Sequence, residues 1–272
     1  MLETRDLTIR FGGHVAVDAV SCAFGPGTLT AIVGPNGAGK TTYFNLISGQ
    51  LTASRGSVWL DGEDLGGLGA PLRTRRGLGR AFQLTQLFAK LSVLENVRLA
   101  VQARRQRGID LWRIWSDHRQ WIDEALSILE RVKLAAQRDV PAAELPHGDQ
   151  RKLEVALLIA LDPKVYLFDE PTAGMSADDA PVVLDLIRSL KAQRERTILL
   201  VEHKMDVVRE LADRIVVLHQ GRLVADGEPA AVMAMPVVQE AYLGRSSKVS
   251  HEWSMGSPSR PSPSERGSSR HV

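Results

Sequence analysis

The chain has 272 residues and 44% hydrophobic side chains, enough to bury a core in one large domain or two small ones. Its 34 basic and 32 acidic residues are intermixed and leave a net charge of +2, so no overall field favours nucleic acid. The sole cysteine, Cys22, excludes an intrachain disulfide and a cysteine metal cluster and suits a reducing cytoplasm.

The N-terminal residues carry no membrane-targeting pattern. Glu3, Arg5 and Asp6 place charges where a signal peptide needs an apolar stretch. The best candidate for a membrane span, residues 155–168, contains Asp162 and Lys164 and falls short of ~18 uncharged apolar residues. We therefore expect a chain that does not cross a membrane by itself.

The first third of the chain predicts strands and one helix. Three segments alternate apolar and polar side chains like half-buried strands, and together they predict a small antiparallel sheet. They are residues 7–11, 15–24 and 56–60, the last followed by a turn at Asp61-Gly62. Between them, the apolar run 29–33 predicts a buried strand, and residues 41–48 predict a helix ended by Gly49.

The remainder predicts helices and a parallel sheet. Helical periodicity marks residues 94–103, 121–134, with Asp117 as its N-cap, and 150–161. Two apolar runs of strand length, 164–169 and 197–202, flank a helix over 178–194, an order typical of parallel sheets. Residues 215–218 and 223–225 predict a hairpin across 219–222.

The most informative motif follows the strand at 29–33. It fits the phosphate-binding P-loop pattern, and its members are Gly34, Pro35, Asn36, Gly37, Ala38, Gly39, Lys40, Thr41 and Thr42. Glycines let backbone N–H groups converge on one anion, and the following helix adds the positive end of its dipole. Lys40 supplies charge for the outer phosphates, and the Thr41 hydroxyl can ligate Mg²⁺. The alternative is a glycine-rich turn that matches by chance.

A second nucleotide motif ends the apolar run 164–169. Asp169 stands where a Walker B carboxylate holds Mg²⁺ beside the P-loop. Glu170, one residue on, is placed to orient and deprotonate an attacking water. The alternative is an ordinary strand with an acidic end.

These motifs resemble the ATP-binding cassette (ABC) ATPases over residues 2–245. Besides the P-loop, the resemblance rests on a Walker B and D-loop over 169–175, a signature segment over 145–150, the Q-loop pair Phe82-Gln83 and the H-switch over 201–203, all in family order. It implies an α/β fold: a P-loop ABC ATPase with a mixed or parallel core sheet, a small antiparallel β subdomain and a helical subdomain. ATP and Mg²⁺ are the implied cofactors.

The resemblance also implies roles for single residues. Gln83 would reach Mg²⁺ and the attacking water, and His203 would bond the γ-phosphate and hold Glu170. Phe11 would stack on adenine, with Ala16 as a small apolar contact beside it. The alternatives are a core phenylalanine in a short strand and plain strand packing for the alanine.

The signature segment implies a partner. In this family its helix points at the ATP of another subunit, so His147, Gly148 and Asp149 would bind nucleotide in trans. Pro146 departs from the family, which usually has serine there, and removes a hydroxyl that would bond the γ-phosphate. Proline fits the first turn of a helix, so we expect the fold to tolerate it. We therefore predict a heteromeric pair with unequal ATP sites, although the pattern leaves a homodimer open.

A finer resemblance is to the ATPase subunits of branched-chain amino acid ABC importers. It rests on residues 11–13, 82–83 with 94–96, 148–151, 173–175 and 241–244. It implies membrane permease subunits as partners, a periplasmic or extracellular solute-binding protein as an indirect one, and a place on the cytoplasmic face of the cell membrane. The subgroup also serves amides, urea and aromatic acids, so the cargo stays open.

Two segments have competing interpretations. Residues 98–121 mix arginines with three tryptophans, which favours either single-stranded nucleic acid binding or, our preference, a helical subdomain that receives the permease. Residues 246–272 are rich in Ser, Pro and Arg, and we predict a disordered tail beyond a 1–245 domain, with docking or phosphorylation as alternatives.

The rival functions are a soluble ABC ATPase of translation or DNA repair, a lone-cassette exporter ATPase of the lipopolysaccharide type, and a regulatory module that barely turns ATP over. The chain lacks the second cassette or long insertion that the first rival usually carries. An intact Glu170 and His203 count against the last.

Overall fold

The computed structural model describes residues 1–81, 87–105 and 119–243. Its strands are β1 (Leu2–Phe11), β2 (His14–Phe24), β3 (Leu29–Val33), β4 (Arg55–Leu60), β5 (Glu63–Asp64), β6 (Leu78–Ala81), β7 (Val165–Asp169), β8 (Thr197–Val201), β9 (Arg214–His219) and β10 (Arg222–Gly227). Its α-helices are α1 (Lys40–Ser48), α2 (Ala70–Arg75), α3 (Val93–Arg104), α4 (Arg119–Arg131), α5 (His147–Leu161), α6 (Ala180–Ala192), α7 (Met205–Leu211), α8 (Pro229–Met233) and α9 (Pro236–Leu243).

The central sheet has the order β10-β9-β3-β8-β7-β6. Neighbouring strands run parallel from β9 to β6, and β10 is antiparallel to β9. Strands β3, β7 and β8 are buried along their whole length, as expected where helices cover both faces of a parallel sheet. The carboxyl ends of β3 and β7 therefore lie on one edge of the sheet, separated by β8.

A second, antiparallel sheet has the order β2-β1-β4-β5. Together with α1 it forms one hydrophobic core on one face of the central sheet. Helices α3, α4, α5 and α6 form another core on the opposite face. Alternate residues of β7 and β8 contribute to the two cores, which is the period of two expected of a strand buried on both sides.

The α/β class and both predicted sheets are confirmed. Boundaries differ by up to five residues, since β1 begins at Leu2 rather than residue 7. The helix predicted over 121–134 ends at Arg131, because Lys133 has a left-handed backbone with φ of 59°. Leu134 is fully buried outside the helix, so its apolar character extended the periodicity without extending the helix.

Several elements were not predicted. Strand β6 is only four residues long and contains glycine and arginine, neither of which favours strands. Helices α2, α7, α8 and α9 have five to eight residues, too few to show a clear helical period.

Some predictions lie outside the described residues. These are the Q-loop pair Phe82-Gln83, the N-cap Asp117, two of the tryptophans in 98–121 and the tail 246–272. The third tryptophan, Trp121, is buried in the helical core, as the helical-subdomain interpretation expects. Within the described part, no helix is sufficiently long and apolar to cross a membrane.

Candidate nucleotide-binding site

The P-loop joins β3 to α1 and packs against two neighbouring strands. A Cβ on Gly34 would lie 2.1 Å from the Leu218 carbonyl oxygen, so only glycine fits there. A Cβ on Gly39, the N-cap of α1, would lie 2.5 Å from the Ala16 carbonyl oxygen, at a φ of 96°. Bare backbone at both ends of the loop keeps its N–H groups close to one point, as a phosphate cradle requires.

The remaining loop residues complete that cradle. Asn36 and Gly37 are exposed at its tip, whereas Ala38 is buried and Pro35 half-buried. Thr41 and Thr42 are the second and third residues of α1 and are half-buried. The first turn of α1 contains no acidic residue, and its N-cap, a glycine, has no side chain. The N–H groups of this turn can therefore bind an anion without competition from a side-chain cap.

Lys40 lies inside the loop. Its Nζ donates hydrogen bonds to the carbonyl oxygens of Gly34, at 2.7 Å, and Pro35, at 3.0 Å, and the residue is 6% exposed. Burial lowers the pKa of Lys40, and the nearby carboxylates of Asp169 and Glu170 oppose that change. The ammonium group is therefore poised between the loop and the two acidic residues at the end of β7.

Asp169 is the last residue of β7 and is buried. Its Oδ2 accepts a hydrogen bond of 2.7 Å from Arg80 Nη2, and both side chains are about 6% exposed. Burial raises the pKa of Asp169, and the charge of Arg80 opposes the rise.

Glu170 follows β7 at the mouth of the loop. Its Oε1 lies 2.6 Å from Nε2 of His203, a hydrogen bond whose donor depends on the imidazole tautomer. Glu170 has a φ of 51°, in the left-handed region that residues other than glycine rarely adopt. Its N–H still bonds the Val201 carbonyl at 2.9 Å, which ties the strained residue to β8. Strain of this kind often occurs at functional sites.

Glu202 fixes the backbone of the H-switch next to His203. It is 3% exposed, and its Oε1 accepts a hydrogen bond from the Thr172 hydroxyl at 2.8 Å. Its Oε2 accepts from the backbone N–H groups of His203, at 2.8 Å, and Lys204, at 3.2 Å. One buried carboxylate thus connects the segment after β7 with the segment after β8.

Phe11 and Ala16 lie on either side of the β1–β2 turn. Phe11 is 50% exposed, which argues against the alternative that it is a core residue. Ala16 is half-buried, and its carbonyl oxygen abuts Gly39 and Gly221. The alanine therefore contributes backbone packing to the P-loop in addition to any contact of its methyl group.

The signature segment starts α5. The helix begins at His147, three residues earlier than the periodicity predicts, so Gly148 lies within the first turn instead of preceding the helix. A Cβ on Gly148 would lie 2.9 Å from Asp179 Oδ2. Lys152 Nζ bonds Asp149 Oδ1 at 2.9 Å and forms an ion pair with Asp179. The signature helix is therefore joined to the N-terminus of α6.

Pro146 was expected in the first turn of the helix but lies one position before that turn. It is the N-cap of α5, with extended backbone at φ −54° and ψ 154°, and not a residue of the first turn. Its carbonyl accepts the Gln150 N–H at 2.9 Å. An N-cap serine would have offered a hydroxyl to the first turn.

The structure divides the predicted residues into two groups. Residues 34–42 with Asp169, Glu170 and His203 lie together, and we call them the P-loop half-site. Residues 145–150 at the start of α5 contact the 174–179 segment, and we call them the signature half-site. His147 Nε2 lies 3.6 Å from the position of a Cβ on Gly174.

Two residues of the site escaped the sequence analysis. Arg80 belongs to the unpredicted strand β6, although the apolar flanks of Leu78-Gly79-Arg80-Ala81 just before Phe82-Gln83 were a signal. Glu202 was noted only as part of the H-switch motif, and its burial needed the fold to be seen.

A phosphate cradle at the end of a parallel strand, a buried lysine inside it and a carboxylate at the end of β7 define a P-loop nucleotide-binding protein. A family model described as ABC transporter matches residues 17–173, and one described as branched-chain amino acid ATP-binding cassette transporter matches residues 222–247. The chain belongs to the ABC transporter family and is the kind of subunit that hydrolyses ATP in such a transporter.

Relatives and solved structures agree. The high-affinity branched-chain amino acid transport ATP-binding protein LivG of Escherichia coli K12 is 36% identical over 249 residues, covering 90% of this chain and 98% of that one. The protein BraF of Pseudomonas aeruginosa, with the same description, is 36% identical over 250 residues with equal coverage. A crystal structure of an ABC transporter cassette in its ADP conformation has a TM-score of 0.74 at 30% identity, covering 90% of this chain and 98% of that one. Both the family resemblance and its finer form are confirmed.

Proposed function

We propose that the P-loop half-site binds MgATP and that Glu170, held by His203, is the base that activates the attacking water. The observation that carries this is the 2.6 Å contact between Glu170 Oε1 and His203 Nε2, beside the buried Lys40. A carboxylate with a fixed orientation at the mouth of a phosphate cradle is suited to accept a proton from water.

The donor set fits nucleotide and Mg²⁺. The bare backbone of Gly34 and Gly39 and the start of α1 fit phosphate oxygens. The Thr41 hydroxyl and the Asp169 carboxylate are oxygen ligands of the kind Mg²⁺ uses, alone or through water. Among the described residues no group of three His, Cys, Asp or Glu side chains is arranged for a metal. Gln83, proposed from the sequence as a further ligand, lies outside those residues.

Each residue then has a definite task. Lys40 leaves its carbonyl partners to neutralise the outer phosphates, and His203 keeps Glu170 turned toward the water and bonds the γ-phosphate. Mg²⁺ supplies charge neutralisation at the phosphates when it is bound. Phe11, half-exposed at the end of β1, stacks on adenine, with Ala16, whose carbonyl abuts Gly39 of the P-loop, alongside. Since phosphoryl transfer needs mostly positioning and electrostatic stabilisation, this set suffices for hydrolysis.

The signature half-site serves a second ATPase subunit. His147, Gly148 and Asp149 present the N-terminal turn of α5 to the ATP on the partner's P-loop, so two chains enclose two nucleotides. Pro146 lacks the hydroxyl of the usual serine, so the site it completes is the weaker one. We infer a heteromeric pair with unequal sites.

The dimer drives a separate membrane permease from the cytoplasmic face of the cell membrane, and a periplasmic or extracellular solute-binding protein delivers the cargo. The names of the relatives support branched-chain amino acids, or related small amides and acids, as that cargo. The match of residues 222–247 to the branched-chain amino acid model favours this importer over a lipopolysaccharide-type exporter.

A Glu170→Gln variant tests the catalytic assignment. It keeps the shape and the hydrogen bond to His203 but removes proton acceptance, so turnover should be nearly abolished while ATP stays bound. Glu130→Gln, an exposed change on α4, is the matched control and should hydrolyse ATP like the wild type. Hydrolysis by Glu170→Gln at a rate close to the control would assign Glu170 another role.

Co-purification from native membranes tests the transport assignment. The expected companions are two permease subunits and a second ATPase subunit, and vesicles carrying the complex should take up leucine, isoleucine or valine only with ATP. ATP-driven efflux of a lipid instead, or companions without a permease, would contradict the importer assignment.

A further inference from the structure

Arg80 occupies an unusual position between three elements. It lies on β6, its side chain is 6% exposed, and its Nη2 bonds Asp169 Oδ2 at 2.7 Å. Its Nη1 bonds three neutral oxygens at the end of α1: Asn45 Oδ1 at 2.6 Å, Ser48 Oγ at 2.9 Å and Gln50 Oε1 at 2.9 Å. One guanidinium thus links the helix behind the P-loop to the strand that carries the Walker B carboxylate.

The contact between Arg80 and Asp169 matters because Asp169 is the carboxylate proposed to bind Mg²⁺. The charge-assisted bond from Nη2 fixes the position of the Asp169 carboxylate, and the bonds of Nη1 to the end of α1 hold the guanidinium itself in place. A full positive charge 2.7 Å from Oδ2 also repels any cation that approaches the same carboxylate, and burial of both side chains keeps water from screening the repulsion.

We propose that Arg80 is a positioning residue that holds Asp169 and counters its charge, so that a divalent cation binds there only together with nucleotide. This rests on the proposed role of Asp169 at Mg²⁺. Bound phosphates would bring the negative charge that offsets Arg80, and Asp169 would then hold the cation together with them. Without nucleotide the site does not retain the free cation.

A second buried arginine provides a matched control. Arg73 is also 6% exposed, and its Nη1 bonds the carbonyl oxygens of Leu46 and Ile47, each at 2.7 Å, on the same helix α1. The hydrogen-bond partners of Arg73 are all backbone carbonyls, and Asp169 is not one of these partners. A change at Arg73 therefore disturbs α1 to a similar degree without changing the charge beside Asp169.

The experiment is a titration with Mn²⁺, followed by the electron paramagnetic resonance signal of the free ion, with and without ADP at pH 8. The wild type should bind Mn²⁺ at least about tenfold more weakly without ADP than with it. Arg80→Met and Arg80→Gln should bind Mn²⁺ without ADP on the order of tenfold more tightly than the wild type. Arg73→Gln should match the wild type, and adding Asp169→Asn to Arg80→Gln should remove the gain.

The outcomes separate the two proposals. If Asp169→Asn leaves Mn²⁺ binding with ADP unchanged, the metal role of Asp169 fails and the role of Arg80 with it. If Asp169→Asn weakens that binding but neither Arg80 variant gains nucleotide-free affinity over Arg73→Gln, only the Arg80 proposal is overturned. Should both Arg80 variants fail to fold by circular dichroism, nucleotide-free Mn²⁺ binding by the wild type that is as tight as binding with ADP still overturns the proposal.

Discussion

The P-loop half-site and the signature half-site differ in how far one chain completes them. In the P-loop half-site, Lys40 and Asp169 are buried and bonded to fixed partners, and Glu170 is held by His203. In the signature half-site, Pro146 and His147 are exposed, and the N-cap of α5 has no side-chain hydrogen bond.

The two regions are therefore prepared for different events. The chemistry is arranged within one chain, where packing can hold a base and a charge to fixed distances. Asp179 supports the signature half-site, since it lies against Gly148 and forms an ion pair with Lys152 of the same helix. The exposed Pro146 and His147 suit the proposed contact with a nucleotide that another chain holds.

The largest effect is expected at Lys40. Lys40→Ala removes the charge that neutralises the outer phosphates. The loss should cost about 3 kcal/mol of transition-state stabilisation and so lower the rate of ATP turnover roughly a hundredfold or more. Lys164→Ala, an exposed lysine at the opposite end of β7, serves as control. Near-normal ATPase activity in Lys40→Ala would show that the P-loop half-site is not the site of ATP hydrolysis.

A smaller effect, of opposite sign, is expected at Pro146. Pro146→Ser should raise the ATPase rate of the isolated chain, because a hydrogen bond to a charged phosphate contributes ~1.5–3 kcal/mol. Serine is also a favoured N-cap, so circular dichroism should show an intact fold. Fast hydrolysis by the isolated wild type, unchanged by Pro146→Ser and by addition of the partner ATPase, would show that the start of α5 suffices without the hydroxyl and that the sites are equal.

The smallest effect is expected at Phe11. Phe11→Ala should weaken binding of a fluorescent ADP by about 0.5–1.5 kcal/mol through lost stacking, and Phe11→Trp should restore it. Phe88→Ala, another exposed phenylalanine, is the control. A fall in melting temperature with unchanged nucleotide affinity would instead make Phe11 a structural residue.

The sequence predicted which residues of the P-loop half-site lie together, because each of its parts lies at or just beyond the end of a buried apolar strand. The apolar runs before Gly34 and Asp169 are recognisable alone, and parallel order places their ends on one edge. Glu202 could not be assigned in this way, since its three donors come from segments about 30 residues apart and meet only in the folded chain.

Short elements and helix starts were harder to predict. Arg80 was not singled out from the sequence, because β6 is too short to show a period. The start of α5 was placed too late, because His147, Gly148 and Asp149, which form its first turn, are poor helix formers.

The most direct test of the central claim, that nucleotide is enclosed between the P-loop half-site of one chain and the signature half-site of another, is light scattering on the Glu170→Gln variant. It would be measured with Mg²⁺ and ATP or ADP, alone and with the co-purified ATPase subunit. The molar mass should double with ATP and not with ADP, and adding Gly148→Asp should prevent the doubling in the isolated chain. ATP that is bound while the mass stays that of a single chain under both conditions would contradict the central claim.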